Sequence, residues 1–311
     1  MPNHVEVQHK VLEPAADTGA RRGGLLWGLA GVTAFSFTVP LTRIAVGGLS
    51  PLFVGSGRAV VAAILAAVAL TLTRQRAPQG TQWLRLAVVA GGVVIGFPLL
   101  TSFALTKVAA SHGAVVIAVL PAATAVMAVL RARERPRRSF WVAAAAGAAA
   151  AVAFALHQAG GLGAPSEADL LLFVAVIVCA IAYAEGGVLS RELGSWQTIS
   201  WALVLALPVM VALTIVSIGI QPPKATPIEW AAFGYLAAVS MFLGFFAWYR
   251  GLAIGPIAQV SQVQLVQPVM TIAWAALLLG EVLTLPTVLG GLAVILCAAV
   301  AVRVRMGAIR S

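Results

Sequence analysis

Four glutamines crowd the stretch QVSQVQLVQP, residues 259 to 268, inside a run that is otherwise apolar. A carboxamide offers two donor hydrogens and an acceptor oxygen, so its chemistry is hydrogen bonding to a neighbouring helix, to water or to a polar solute. At about 100° per residue, Gln259, Gln262, Gln264 and Gln267 spread around a helix instead of forming one stripe. Gln259 and Gln262, in the first turns, are expected at a cytoplasmic membrane interface. Gln264 and Gln267 lie deeper, where an unpaired amide in hydrocarbon is costly, so they must face protein or water. Helix packing and cavity lining both stay open for them.

Three ionisable groups sit in similarly apolar surroundings. Arg58 stands seven residues after Pro51, roughly 10 Å along a helix, where it either snorkels or pairs internally in a structural role. Glu185 precedes Arg191 by about a turn and a half, and an ion pair with that or another arginine is expected. The other reading of Glu185 is a carboxylate that holds and releases a proton to couple movement across the membrane. His112 is expected exposed, at the start of its helix.

Aromatic residues give a second signal. Phe35 lies close to Thr38, Phe97 precedes Thr101 by one turn, Tyr183 stands in another apolar run, and Phe242 and Phe245 fall in the stretch MFLGFFAWYR. Each also serves as ordinary packing, yet a cavity with aromatic walls and few polar groups is what a bulky side chain of a small solute would need. Trp248 and Tyr249 beside Arg250 are expected in an interfacial belt. Pro121 and Pro268 each free a backbone carbonyl one turn earlier and are candidate hinges.

The elements that must position these residues follow from composition. Of 311 residues, 61% are hydrophobic and 10% charged, and the mean hydropathy is +0.99, far beyond a soluble domain. Long unbroken apolar runs favour helices over a membrane barrel. At about 20 residues per span, the chain divides into Gly24–Val46, Pro51–Thr73, Trp83–Phe103, His112–Leu130, Ser139–Leu156, Ala168–Ser190, Thr198–Ile218, Ile228–Tyr249, Ala258–Leu279 and Pro286–Val302. These are ten transmembrane helices of an all-α integral membrane protein. Segments on one side collect Lys10, Arg21, Arg22, Arg74, Arg76, Arg85, the arginines from Arg131 to Arg138, Arg191, Arg250, Arg303, Arg305 and Arg310; the other side keeps Arg43, Lys107 and Lys224. That bias places both termini in the cytoplasm. Gly24, Gly28, Gly31, Gly92, Gly96 and Gly147 supply small surfaces for close helix approach.

A displacement of 147 residues carries LPAATAVMAVLRARE (120–134) onto QPVMTIAWAALLLGE (267–281), matching Pro121 with Pro268, Thr124 with Thr271 and Glu134 with Glu281. Such a unit spans the membrane an odd number of times, so two copies must be inverted. The expected organisation is a disordered cytoplasmic tail (1–23), a first five-helix repeat (24–157), a second (168–302) and a short cytoplasmic tail (303–311). Inverted repeats are a device of secondary transporters, with the site between the halves.

Other classes lack their residues. No phosphate-cradling G-x-x-x-x-G-K-[ST] is present, which excludes ATP hydrolysis by this chain. No H-E-x-x-H, G-x-S-x-G or His/Asp/Glu cluster points to a membrane-embedded enzyme, and the arginines between apolar runs fit membrane orientation instead of nucleic acid. Cys179 and Cys297 lie in apolar runs with no metal-ligand spacing. No metal, cofactor or obligatory protein partner is expected.

Trp27-Gly28 in the first span, Ser50-Pro51 with Arg58 seven residues beyond the proline, and the run from Pro268 to Gly280-Glu281 give the chain from Gly24 to Val302 its resemblance to the drug/metabolite transporter superfamily. It is similar to the EamA-type ten-helix members; the first half departs at Arg133, where the second has Gly280. The resemblance implies a multi-pass carrier of the bacterial inner membrane that exports small metabolites by alternating access, nearest to the aromatic amino-acid exporters. It also implies that the first, third, fourth, sixth, eighth and ninth helices line the path. Carriers of cationic drugs or of nucleotide-sugar-like metabolites are the alternatives, less well served by one buried arginine and one buried glutamate.

Overall fold

The computed structural model describes residues 16–132 and 166–282 without a break, with short pieces between 138 and 150 and between 285 and 296. Every regular element among the described residues is helical. Helices α1 (Arg22–Gly48), α2 (Pro51–Leu72), α3 (Gln82–Ala104), α6 (Glu167–Leu193), α7 (Ser195–Ile220), α8 (Pro227–Ile254) and α9 (Ile257–Leu279) are long and apolar enough to cross a membrane. The fourth expected span is instead two shorter helices, α4 (Ala110–Ile117) and α5 (Leu120–Ala132). Most of the fifth and tenth expected spans, residues 1–15 and 303–311 of the tails, Glu134, Gly147 and Cys297 lie outside the described residues, and residues 16–21 are helical and lead into α1.

Polar side chains set several of the starts. Ser50 caps α2, its Oγ accepting the Phe53 N–H at 3.2 Å with Pro51 at the first helical position, where a missing N–H does no harm. Ser166 with Asp169 and Thr226 with Glu229 form reciprocal caps at α6 and α8. Outward faces carry Leu26, Leu72, Ile220 and Leu277, each more than two-thirds exposed, a surface suited to lipid and costly in water.

Glycine sets the closest approaches. A Cβ on Gly31 would lie 2.9 Å from the Trp248 nitrogen, and one on Gly251 would lie 2.7 Å from the Gly28 nitrogen, so α1 and α8 touch backbone to backbone. On the other side of the bundle, a Cβ on Gly92 would meet the Val178 carbonyl oxygen at 2.3 Å, which locks α3 to α6. The expected packing glycines, Gly147 apart, therefore do pack.

The 147-residue displacement reappears in the breaks of the helices. Residues Ala90–Gly96 of α3 and Leu236–Leu243 of α8 wind as wide π-turns, and the first lands almost on the second when shifted. The gap after Ile117 matches the tight 3-10 segment Gln262–Val266, because Pro121 and Pro268 have no N–H for the carbonyls of Ile117 and Gln264. Contacts follow the same exchange: α1 packs on α8 as α6 packs on α3. Helix α2 packs on its own mate α7, and the two run antiparallel, Ser50 Oγ meeting Ser217 Oγ at 2.7 Å and Thr214 Oγ1 donating to Ser56 Oγ at 2.9 Å. Helix α2 and the segment 147 residues further on thus lie side by side in opposite directions.

Candidate functional site

Beside this pair of helices several of the aromatic and polar residues singled out in the sequence converge. Phe35 and Thr38 on α1, Arg58 on α2 and Phe97 on α3 face Tyr183 on α6, Phe245 on α8 and Gln267 on α9 across one cavity. Three of its walls are mates under the 147-residue shift: Val93 with Ser240, Pro98 with Phe245, and Leu120 with Gln267. The cavity thus draws its walls from both halves of the chain. Its free volume is about 30 Å³; at about 10–15 Å³ per water on that measure, it has room for about two or three waters. A larger ligand enters only when the helices part.

The walls are mainly rings. Phe35 and Phe245 lie 4.9 Å apart between centroids, and Tyr183 packs edge-on to Phe245 at 6.1 Å. Polar atoms are few and placed. The Thr38 and Ser240 hydroxyls share a hydrogen bond of 2.7 Å across α1 and α8, and Gln267 Nε2 donates to the Phe35 carbonyl at 3.4 Å. That last bond is long, so the amide is only loosely held.

A smaller adjoining pocket lies at the two breaks, where Gln264, Gln267, Pro121 and Pro268 meet Val39 and Leu120. Gln264 is buried with its amide lacking a hydrogen bond of ordinary geometry. Gln262 Nε2 donates to the carbonyl of Pro121 at 3.2 Å, joining one broken helix to the other.

The profile of the EamA-like transporter family matches this chain twice, over residues 22–156 and 166–303. The chain belongs to the EamA-like transporter family. The uncharacterized transporter YdeK of Bacillus subtilis (strain 168) is 45% identical to it over 288 residues, covering 90% of this chain and 97% of that protein. A solved crystal structure with 19% identity superposes at a TM-score of 0.68 over 90% of this chain and 96% of its own, which extends the likeness of fold. The chain is a multi-pass membrane transporter, and its family implies a small-molecule substrate.

Other expected residues of this EamA-like chain fall elsewhere. Thr101 is buried but turned back on its own helix, its hydroxyl donating to the Phe97 carbonyl at 2.6 Å, and Phe242 stacks edge-on against Phe246 at 4.7 Å. Glu185 lies at one end of the bundle in an ion-pair cluster with Arg85 and Arg131, while Arg85 Nη1 also reaches Glu192 at 2.5 Å. Arg191, the expected partner, turns instead to the last carbonyls of α8, Leu252 and Gly255. At the opposite end His112 is half-buried and contacts Asp169 at 2.7 Å, so it is not the freely exposed residue anticipated.

Two further expectations are overturned. Trp248 and Tyr249 are fully buried instead of belted at the interface, because the glycine face of α1 admits Trp248 against Gly31 and a Cβ on Gly186 would run into the Tyr249 ring. Gln259 and Gln262 are buried too, since α9 enters beneath α5 and not at a wet surface. Ser240 and Cys179, missed in the sequence, line the cavity. Ser240 was findable as a hydroxyl inside an apolar run; Cys179 offered no signal beyond its place one turn before Tyr183.

Proposed function

We propose that the chain is a secondary carrier that exports small metabolites, amino acids with aromatic or hydrophobic side chains foremost, by alternating access across a bacterial inner membrane. In this reading ten helices form two inverted five-helix repeats, 24–157 and 168–302, with the tails 1–23 and 303–311 in the cytoplasm. The repeated element boundaries and the antiparallel pairing of α2 with α7 support the inversion.

The observation that carries the substrate reading is the ring-walled cavity, with the Thr38–Ser240 hydroxyl pair and the Gln267 amide as its sparse polar points. Rings accept an apolar side chain, and a few placed polar groups orient the rest. Described carboxylates lie at the ends of the bundle and not on this cavity, so a cationic drug finds no counter-charge there. In this reading Gln264, Gln267 and the rings contact the substrate, and Pro121 and Pro268 are the hinges. Glu185 and Arg58 are not needed as proton carriers.

Counterflow in proteoliposomes tests the reading. Vesicles loaded with unlabelled phenylalanine should accumulate labelled phenylalanine saturably, and threonine-loaded vesicles should do so much less. Equal exchange with threonine, or none with either, overturns the aromatic preference.

A further inference from the structure

Arg58 is the buried cation of the cavity wall. Its side chain is among the largest fully enclosed ones in the protein, and its Nε and Nη2 atoms have no hydrogen-bond partner. A guanidinium without acceptors in a membrane interior is costly and is retained where it has something to bind. The protein offers it no described carboxylate. Glu167 pairs with Lys107, Asp169 with His112, Glu185 with Arg85 and Arg131, and Glu192 with Arg85. Glu229 caps its own helix at Thr226, and Glu281 accepts from the start of α4.

The fold does not demand the charge either. Under the 147-residue shift Arg58 falls on Leu205, an apolar residue in the middle of α7. One half fills the position with a hydrocarbon side chain and the other with a planar cation that reaches the cavity alongside Thr38 and Ser240.

We infer that Arg58 binds a carboxylate on the transported solute, so that the cargo is an organic anion or zwitterion with an apolar body. A guanidinium presents paired N–H donors that match the two oxygens of a carboxylate, which gives orientation as well as attraction. The carboxylate supplies the acceptors that Nε and Nη2 lack, and the rings of Phe35, Phe97 and Phe245 cover the rest of the molecule. This rests on the transporter reading above and sharpens it: the charge, and not the ring alone, selects the substrate.

The test separates charge from ring. Purified protein in an uncharged buffer is melted in the presence of 3-phenylpropionate, of 3-phenylpropanamide and of sodium chloride. The acid should raise the melting temperature at concentrations at least tenfold below those the amide requires, with no comparable effect of chloride. Arg58→Gln should remove the difference between acid and amide, and Arg58→Lys should keep part of it. The comparison on the unsubstituted protein needs no variant to fold. Equal responses to acid and amide, a response to neither, an effect reproduced by chloride, or an unchanged preference in Arg58→Gln overturns the inference.

The two readings also fail separately. A stabilising effect of short aliphatic acids equal to that of 3-phenylpropionate, lost in Arg58→Gln, keeps the anion site and retires the aromatic one. Counterflow of phenylalanine matched by phenylalaninamide does the reverse.

Discussion

Glu281 closes the start of a helix 170 residues away: its Oε2 accepts the Ser111 N–H at 3.2 Å, and its Oε1 accepts the neighbouring Ala110 N–H at 3.1 Å. A carboxylate there satisfies two orphan donors of α4 and meets the positive end of its dipole. It also ties the end of α9, which stops at Gly280 in a left-handed turn (φ 67°), to the broken fourth span.

Glu281→Ala should therefore destabilise the protein by about 0.5–2 kcal/mol, the scale of a lost helix cap. Glu281→Gln, which keeps an acceptor but loses the charge, should cost about 0.3–1 kcal/mol. Thermal unfolding of the two purified variants decides; no loss in Glu281→Gln would mean that the charge contributes nothing.

Gly31→Leu sets a side chain against the backbone of Trp248, where nothing flexible can yield. Overpacking of this kind costs about 1–3 kcal/mol or more, and little folded protein should be recovered from membranes. Gly91→Leu is the control, since a Cβ there meets no atom within 4 Å. Size-exclusion profiles of the two should differ sharply, and matching profiles would refute the close approach.

Arg85 and Arg131 share Glu185 but not its burial: their side chains are 17% and 49% exposed, and that of Glu185 is 5%. Solvent screens the Arg131 pair more, so Arg85→Ala should lower the melting temperature more than Arg131→Ala. Glu185→Gln should lower it as well and leave any response of transport to a pH gradient unchanged. Loss of that response alone, at unaltered stability, would restore a coupling role for the carboxylate.

Gln267 holds the Phe35 carbonyl by a bond of 3.4 Å, long enough to contribute little stability. Gln267→Leu should then shift stability by less than about 1 kcal/mol while transport falls at least tenfold at equal amounts of membrane protein. Counterflow at wild-type rate would remove Gln267 from the path.

Pro268→Ala restores a donor for the Gln264 carbonyl and lets the 3-10 segment relax toward an unbroken helix. The melting temperature should hold or rise, and turnover should slow several-fold, because a straight α9 loses the joint beside the cavity. Unchanged turnover would reduce the break to simple curvature.

Seven of the spans were legible because a bilayer leaves few alternatives: a long apolar run must become a helix, and Pro51, Ser166 and Thr226 sit where starts belong. Gln267 and the rings of Phe35, Phe97, Tyr183 and Phe245 were legible as residues that face the interior, because polar or bulky groups inside such runs must face protein. The π-turns at Ala90–Gly96 and Leu236–Leu243 were not, since an extra residue in a turn has no composition of its own. Trp248 and Tyr249 misled because Arg250 beside them resembles an interface, and only the tertiary fit of α1 shows that glycines opposite draw the pair inward. Glu185 beside Arg191 misled in the same way: nearness along the chain lost to Arg85 and Arg131, which packing brings closer.

The pairing of α2 with α7 has a kinetic meaning. In a cycle whose end states are related by a two-fold axis, the α1–α8 and α3–α6 seams exchange environments, each taking the other's place as access changes sides. The seam of α2 on α7 maps onto itself as a pair of helices, although its bonds do not: Ser50 and Ser217 fall on Gln197 and Leu70, and Ser56 and Thr214 fall on Leu203 and Ala67. In the alternating-access reading proposed above that seam would be a fulcrum: the rest of the bundle would rock about it, and Arg58, rooted in α2, would stay with the helix pair that keeps its partner while the walls facing it move.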